Sequence, residues 1–268
     1  MALLGPKTWA ADHLPLGVQL YTVRNQAEGN LPTVLQQIHS IGFAEVETYW
    51  NVYTHPAPEL RRMIEDAGLR VPSGHFDYDG LSGKFDYAKQ LGVQWVVCPM
   101  LPASQQNSIE GFHTAAKQFN EWGKRAKDMG MRFAFHNHDY EFQNFGGKQT
   151  GYDILLNETD PSLVFFEMDC YWITQAGLDP VTMLHRLGKR VRMIHLKDRK
   201  PGFPPSHDMG ESSSHFTEVG HGSIQWKPII ETARSMGIEH YFVEQDYSDI
   251  NPVQSITQSY QYLRTLGS

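Results

Sequence analysis

The chain has 268 residues, 40% hydrophobic and 20% charged, with 23 Lys and Arg against 30 Asp and Glu, a formal charge of −7 and a pI near 6.0. That balance argues against the basic face a nucleic-acid binder needs, and no apolar run approaches the ~18 residues of a membrane span. Two cysteines, Cys98 and Cys170, make no disulfide framework and fit a reducing compartment, so a cytoplasmic protein with small buried thiols is expected.

Residues 1–16 lack the apolar core of a secretory leader and read as an unstructured arm; residues 17–268 read as one domain. The first strand is expected at 18–21. A helix follows over 31–40, with Asn30 as N-cap, Pro32 in its first turn and a stripe of Leu31, Val34, Leu35 and Ile38. Strand 43–48 is tipped by Glu47, and helix 58–67 stops at Gly68. The cycle repeats: strand 69–76 with His75, helix 85–91, strand 93–99, then a long helix over 108–129. The fifth strand, from Met131, is an aromatic run that ends abruptly in His136-Asn137-His138-Asp139, as a buried parallel strand ending in polar side chains would. Helix 152–158, strand 164–169, helix 181–187, strand 191–195, helix 224–236, strand 240–244 and helix 253–266 complete the chain.

Eight strands alternating with eight helices over about 250 residues predict an α/β fold, a closed (β/α)8 TIM barrel, rather than an open doubly wound sheet. No GxGxxG follows the first strand, which counts against a dinucleotide fold. The one long connection, 200–222, is rich in Pro, Gly and Ser, as an active-site loop would be.

In such a barrel, chemistry sits at the C-terminal strand ends. His136, Asp169, His195 and Glu244 occupy four consecutive ends. Two imidazoles and two carboxylates form a mixed N/O set that suits one Mn, Co, Fe or Zn ion better than the all-oxygen shell favoured by Mg or Ca, with Mn the first expectation and Mg the remaining alternative. Such an ion grips neighbouring oxygens of a hydroxy-ketone and stabilises the enediolate left by proton abstraction. Lys197 is expected as an oxyanion contact or else the ion-pair partner of Asp198, and His138 as a substrate hydrogen bond or a support behind the site. Glu47, His75, Trp172 and His221 are expected to bind substrate, His221 being the loop histidine best placed to reach the site. Asp169 taken alone also reads as the N-cap of a following helix.

The segments GVQLYTVR, IGFAEVE, FHNHDYEF, FEMDCYW, MIHLKD and GHGSIQW, in this order between Gly17 and Leu266, resemble the sugar phosphate isomerase/epimerase family with its xylose isomerase-like TIM barrel. The resemblance implies a metal held by Glu, Asp, His and Glu from strands five to eight, commonly Mn or Co, and maps the last three onto Asp169, His195 and Glu244. It also implies a glutamate where this chain has His136, and two glutamates that shuttle the proton in epimerases; with His136 in that place, the resemblance leaves Glu244 as the expected base and His136, His138, Glu47 or Glu141 as its catalytic partner. The expected activity is a metal-dependent isomerase or epimerase of a sugar or keto-sugar. The alternative, nearly equal in rank, is a lyase or dehydratase of a keto-sugar, inosose or 3-keto-glycoside. An apurinic endonuclease and a non-catalytic sugar-binding barrel are the remaining readings. The expected partner is a small sugar, with no nucleic acid, no membrane, and a homo-oligomer as an option.

Overall fold

The computed structural model describes residues 14–147, 149–210 and 214–266. Eight parallel strands close into one barrel: β1 Leu16–Gln19, β2 Glu45–Thr48, β3 Arg70–His75, β4 Trp95–Cys98, β5 Arg132–His136, β6 Val164–Asp169, β7 Val191–Leu196 and β8 His240–Val243. Pairing of Leu16 with Tyr241 and Val18 with Val243 shuts the sheet and leaves no barrel edge exposed. Most of the expected arm, residues 1–13, lies outside the described residues; Leu16, assigned to that arm, already belongs to β1. Tyr21, expected at the end of the first strand, sits instead in a 3-10 turn, Leu20–Val23, where its own N–H donates to Gln19 Oε1 at 3.1 Å.

The helical stripes behave as their spacing predicts. Leu31, Val34, Leu35 and Ile38 are all buried against the sheet. Their helix is longer than expected, Arg24–Ile41, because a helical turn precedes Asn30; Asn30 breaks it with an extended φ of −163°, and its Oδ1 accepts from the N–H of Thr33. Gly42 ends the helix at φ +118°, a region that favours glycine. The shorter helix Cys170–Gln175, directly after β6, stands outside the eight expected helices, and Asp169 caps it as its N-cap reading expects.

Inside the barrel, Trp95, Val97, Ala134, Met193 and Phe242 form a separate apolar plug. Above it, towards the C-terminal strand ends, the interior turns polar. The long connection is pinned by a two-stranded antiparallel ribbon, Asp198–Arg199 with Phe216–Thr217. No helix among the described residues is long and apolar enough to cross a membrane.

Candidate active site

Strand alternation and register build the site. Side chains two apart on a strand face the same side, so Glu167 and Asp169 both enter the barrel from β6. Register sets His136 beside Glu167, Asp169 beside His195, and Glu47 between Gln19 and Ser73. Two tiers of ionisable groups result.

The deep tier is a closed net. Glu47 Oε2 meets His195 Nε2 at 2.7 Å, His75 Nε2 at 3.1 Å and the Gln19 amide at 2.8 Å, while its Oε1 accepts from the Ser73 hydroxyl. Glu167 Oε2 meets His75 Nε2 at 2.8 Å, His136 Nδ1 at 3.1 Å and His195 Nε2 at 3.2 Å. Burial alone would raise both carboxyls. His75 and His195 overcome it at Glu47 and hold it below the usual carboxylate range; at Glu167, burial and the Glu47 charge are outweighed by His195 and His136, which hold it near 2. His75 responds in kind, lifted to about 9 against burial by Glu47 and Glu167.

The upper tier faces the cavity. His136 Nε2 and His195 Nδ1 each lie 4.0 Å from Asp169 Oδ2, and His195 Nδ1 lies 2.9 Å from Glu244 Oε2. Lys197 Nζ approaches Glu244 Oε2 at 2.8 Å, Asp246 at 3.1 Å and Asp169 Oδ2 at 3.3 Å. Its partner is thus this acidic group, while Asp198 turns elsewhere. Against burial, these carboxylates keep the Lys197 ammonium charged. Burial likewise works to raise Glu244, but Lys197 and His195 hold it well below normal. Asp169 stays high, at about 6, because burial outweighs Lys197 and His195. Burial and the neighbouring cations keep His136 well below its usual range and His138 near 3. Both imidazoles are therefore neutral, with a lone pair to offer.

Ligand-type atoms of His136, Asp169, His195 and Glu244 all fall within 4.8 Å of one another. Asp169 serves two ends: Oδ1 caps the helix Cys170–Gln175 by accepting from the Trp172 N–H at 2.9 Å, while Oδ2 is buried with no hydrogen-bond partner. A carboxylate oxygen that makes no hydrogen bond and meets only the Lys197 ammonium at 3.3 Å, in the middle of two imidazoles and a second carboxylate, fits a divalent cation. Ligand-type atoms of His75, His136, Glu167 and His195 lie within 4.8 Å of one another as well. The upper group is the better candidate because the lower group's three imidazole nitrogens already meet Glu167 Oε2, whereas the upper group's two histidines present nitrogens whose opposite ring atoms are held by Glu47 and Glu167. A carboxylate behind each ligand imidazole fixes ring orientation and raises ligand basicity.

The cavity above the cluster, about 350 Å³, is bordered by His75, His136, His138, Trp172, Lys197 and Glu244 among others. Six of the sequence candidates therefore converge there, and Asp169 and His195 lie directly beneath. Two do not reach it. Glu47, expected to touch substrate, is fully buried under the histidines. His221 is exposed on the outer side of its loop. The reason is Asp198, whose Oδ2 accepts from Gly220 N at 2.8 Å, Gly222 N at 3.2 Å and Trp226 Nε1 at 2.7 Å, so the backbone of the GHGSIQW segment turns inward and the imidazole outward. A Cβ on Gly222 would collide with Asp198 itself. Glu167 was missed; its signal was the two-residue spacing from Asp169. Asn137 was also passed over: its Oδ1 accepts from the Asp169 N–H at 3.1 Å and ties β5 to β6.

A family model for the xylose isomerase-like TIM barrel matches residues 35–266. Curated relatives include an inosose dehydratase of Lacticaseibacillus casei, 30% identical with 97% of this chain and 95% of the relative covered. Another inosose dehydratase, of Clostridium botulinum (strain Alaska E43 / Type E3), is 24% identical over 98% of this chain and 96% of its own. Among solved structures, a sugar phosphate isomerase/epimerase from Parabacteroides distasonis superposes with TM-score 0.78 at 22% identity, covering 92% of this chain and 96% of that one. The IOLI protein with a binding zinc atom superposes with TM-score 0.71 at 15% identity, covering 94% and 98%. At these identities the superpositions show a shared fold.

Proposed function

This chain belongs to the xylose isomerase-like TIM barrel family, and on that premise we propose that it is a metal-dependent enzyme that takes a proton from the carbon beside the carbonyl of a keto-sugar or inosose. Of the two fates open to the resulting enediolate, we favour loss of a β-oxygen group, a lyase or dehydratase reaction, over reprotonation as an isomerase or epimerase.

One observation carries the choice. The residue at the end of β5 is His136, a neutral imidazole whose Nδ1 is already bonded to Glu167. It is no substitute for the second glutamate that two-sided proton transfer would use. Asp169 is occupied on one oxygen by its cap and aims the other at the cluster. Glu244 is left as the carboxylate of the four that borders the cavity and is kept ionised by Lys197. One base suffices for elimination. The relatives named inosose dehydratase support the same direction.

A divalent ion held by His136, Asp169, His195 and Glu244 would act as a Lewis acid towards the carbonyl. Lys197 places a charged ammonium against the developing negative oxygen. His138, neutral and with Nδ1 unpartnered, offers a hydrogen bond to a substrate hydroxyl, and the Trp172 ring, 5.1 Å from it, gives a flat wall. Incubation with an inosose and Mn²⁺ in D₂O should give an unsaturated product. Glu244→Gln should slow it by roughly 100-fold or more, the range for loss of a general base. An isomeric product with deuterium at the α-carbon would restore the isomerase reading.

A further inference from the structure

A second cavity, about 480 Å³, adjoins the reactive one, and Trp50, Asp77 and Met100 border both. Ligand pockets run from about 300 to 1,000 Å³; the reactive cavity lies at the low end of that range, whereas the two together are far larger than a single ring requires. The wall of the second cavity suits a hydroxylated ring. Tyr53, partly exposed, lines it, and its ring is held in place by stacking on the buried Phe76, with centroids 4.7 Å apart and planes at 15°. Trp50 and Met100 stand at the junction 37% and 40% exposed, among the few large apolar side chains left in solvent. The Asp77 carboxylate, between the two cavities, has no hydrogen-bond or ion-pair partner among the described residues and is free to accept from a hydroxyl.

Charge argues against a phosphate ester. In the reactive cavity the Lys197 ammonium is held by Asp169, Glu244 and Asp246. In the second, Lys84 is the lone Lys or Arg, set among Asp77 and Asp79.

We propose that the substrate is an uncharged two-ring glycoside: the ketone ring lies over the cluster, and a second hydroxylated ring, joined through an oxygen, occupies the adjoining cavity. The inference rests on the elimination reading and names its leaving group. Glu244 takes the proton from the carbon between the carbonyl and the linkage carbon. A C=C bond forms as the C–O bond to the second ring breaks, and the departing alkoxide takes a proton from water. No oxidant or reductant is consumed.

Methyl β-glucoside and cellobiose, the latter on its non-reducing ring, each with one ring hydroxyl oxidised to the ketone, are the probes, together with the 6-phosphate of the first. kcat/KM should be at least ten-fold higher for the cellobiose ketone. Gly80 borders the second cavity with nothing within 4 Å of where a Cβ would stand, so Gly80→Phe plugs it and should erase that advantage. Should that variant not fold, Tyr78→Ala, which strips a ring from the second cavity alone, should cause the same selective loss. Equal kcat/KM for both ketones, preference for the phosphate, or an advantage that survives both variants would overturn the proposal. If neither ketone reacts, the elimination reading falls and tryptophan fluorescence titration decides instead. Binding of the cellobiose ketone weakened about ten-fold by Gly80→Phe, with the methyl ketone unaffected, upholds the second-ring site; equal effects on both refute it.

Discussion

Two buried glutamates of similar appearance do opposite things, and the neighbours decide which. Glu167 sits against three imidazoles and is ionised at any ordinary pH; its work is to hold His136 and His195 in the orientation that turns one nitrogen of each to the cluster. Glu167→Gln should keep the fold yet weaken divalent-ion affinity roughly 10- to 100-fold, the usual effect of removing a group behind a ligand. Metal titration calorimetry on wild type and variant checks this, and unchanged affinity would make Glu167 purely structural. Glu141 has no cation beside it. Burial pushes its carboxyl from 4.5 up to about 8, although both oxygens accept from the His138 N–H at 3.0 and 3.1 Å. A raised value means the bound proton stabilises the fold fully below the unfolded value, and that contribution is lost as pH climbs through about 8. Glu141→Gln cannot ionise, so it should gain on wild type between about pH 5 and 8, by on the order of a few kcal/mol. Thermal melts across that range read the difference; parallel curves would show that Glu141 is not protonated in the native state.

The strand ends and the long connection divide the labour between them. Strands supply the ionisable groups because a two-residue period sends pairs such as Glu167 and Asp169, or His195 and Lys197, into one interior. The connection is organised instead around a single buried carboxylate, Asp198, whose Oδ1 accepts from Arg199 N and Ile224 N and whose Oδ2 accepts from Gly220, Gly222 and Trp226. Asp198→Ala would leave several of these donors unmet, each at a cost of ~1–3 kcal/mol. A loss of at least about 3 kcal/mol is expected, with faster proteolytic cleavage within residues 200–222. A variant as stable and as protease-resistant as wild type would show that water replaces the carboxylate.

For the whole molecule, the barrel concentrates buried charge at one pole and an apolar plug beneath it, so the proposed ion, bound there, would link its binding to fold stability. An ion bound at 100 times its dissociation constant adds about 2.7 kcal/mol to the folded state. For a domain somewhat smaller than this one, each kcal/mol moves the melting temperature by ~2–4 °C. EDTA should therefore lower Tm by roughly 5–10 °C, and added Mn²⁺ or Zn²⁺ should restore it. Insensitivity of Tm to both would mean that protons alone balance the cluster.

Local pattern alone determined the eightfold alternation, the burial of the Leu31–Ile38 stripe and the strand-end positions of His136, Asp169, His195 and Glu244. Helical and strand periods, and glycines closing helices, are properties of a few adjacent residues and survive in any context. Tertiary structure decided everything that depends on register between strands. It set Glu47 beneath the histidines instead of against substrate, and brought the unremarked Glu167 to the centre by aligning it with His136. It turned His221 outward because Asp198, distant in sequence, captured the backbone on either side. A side chain's neighbours across a barrel are fixed by closure of the sheet, and no spacing along one strand encodes them.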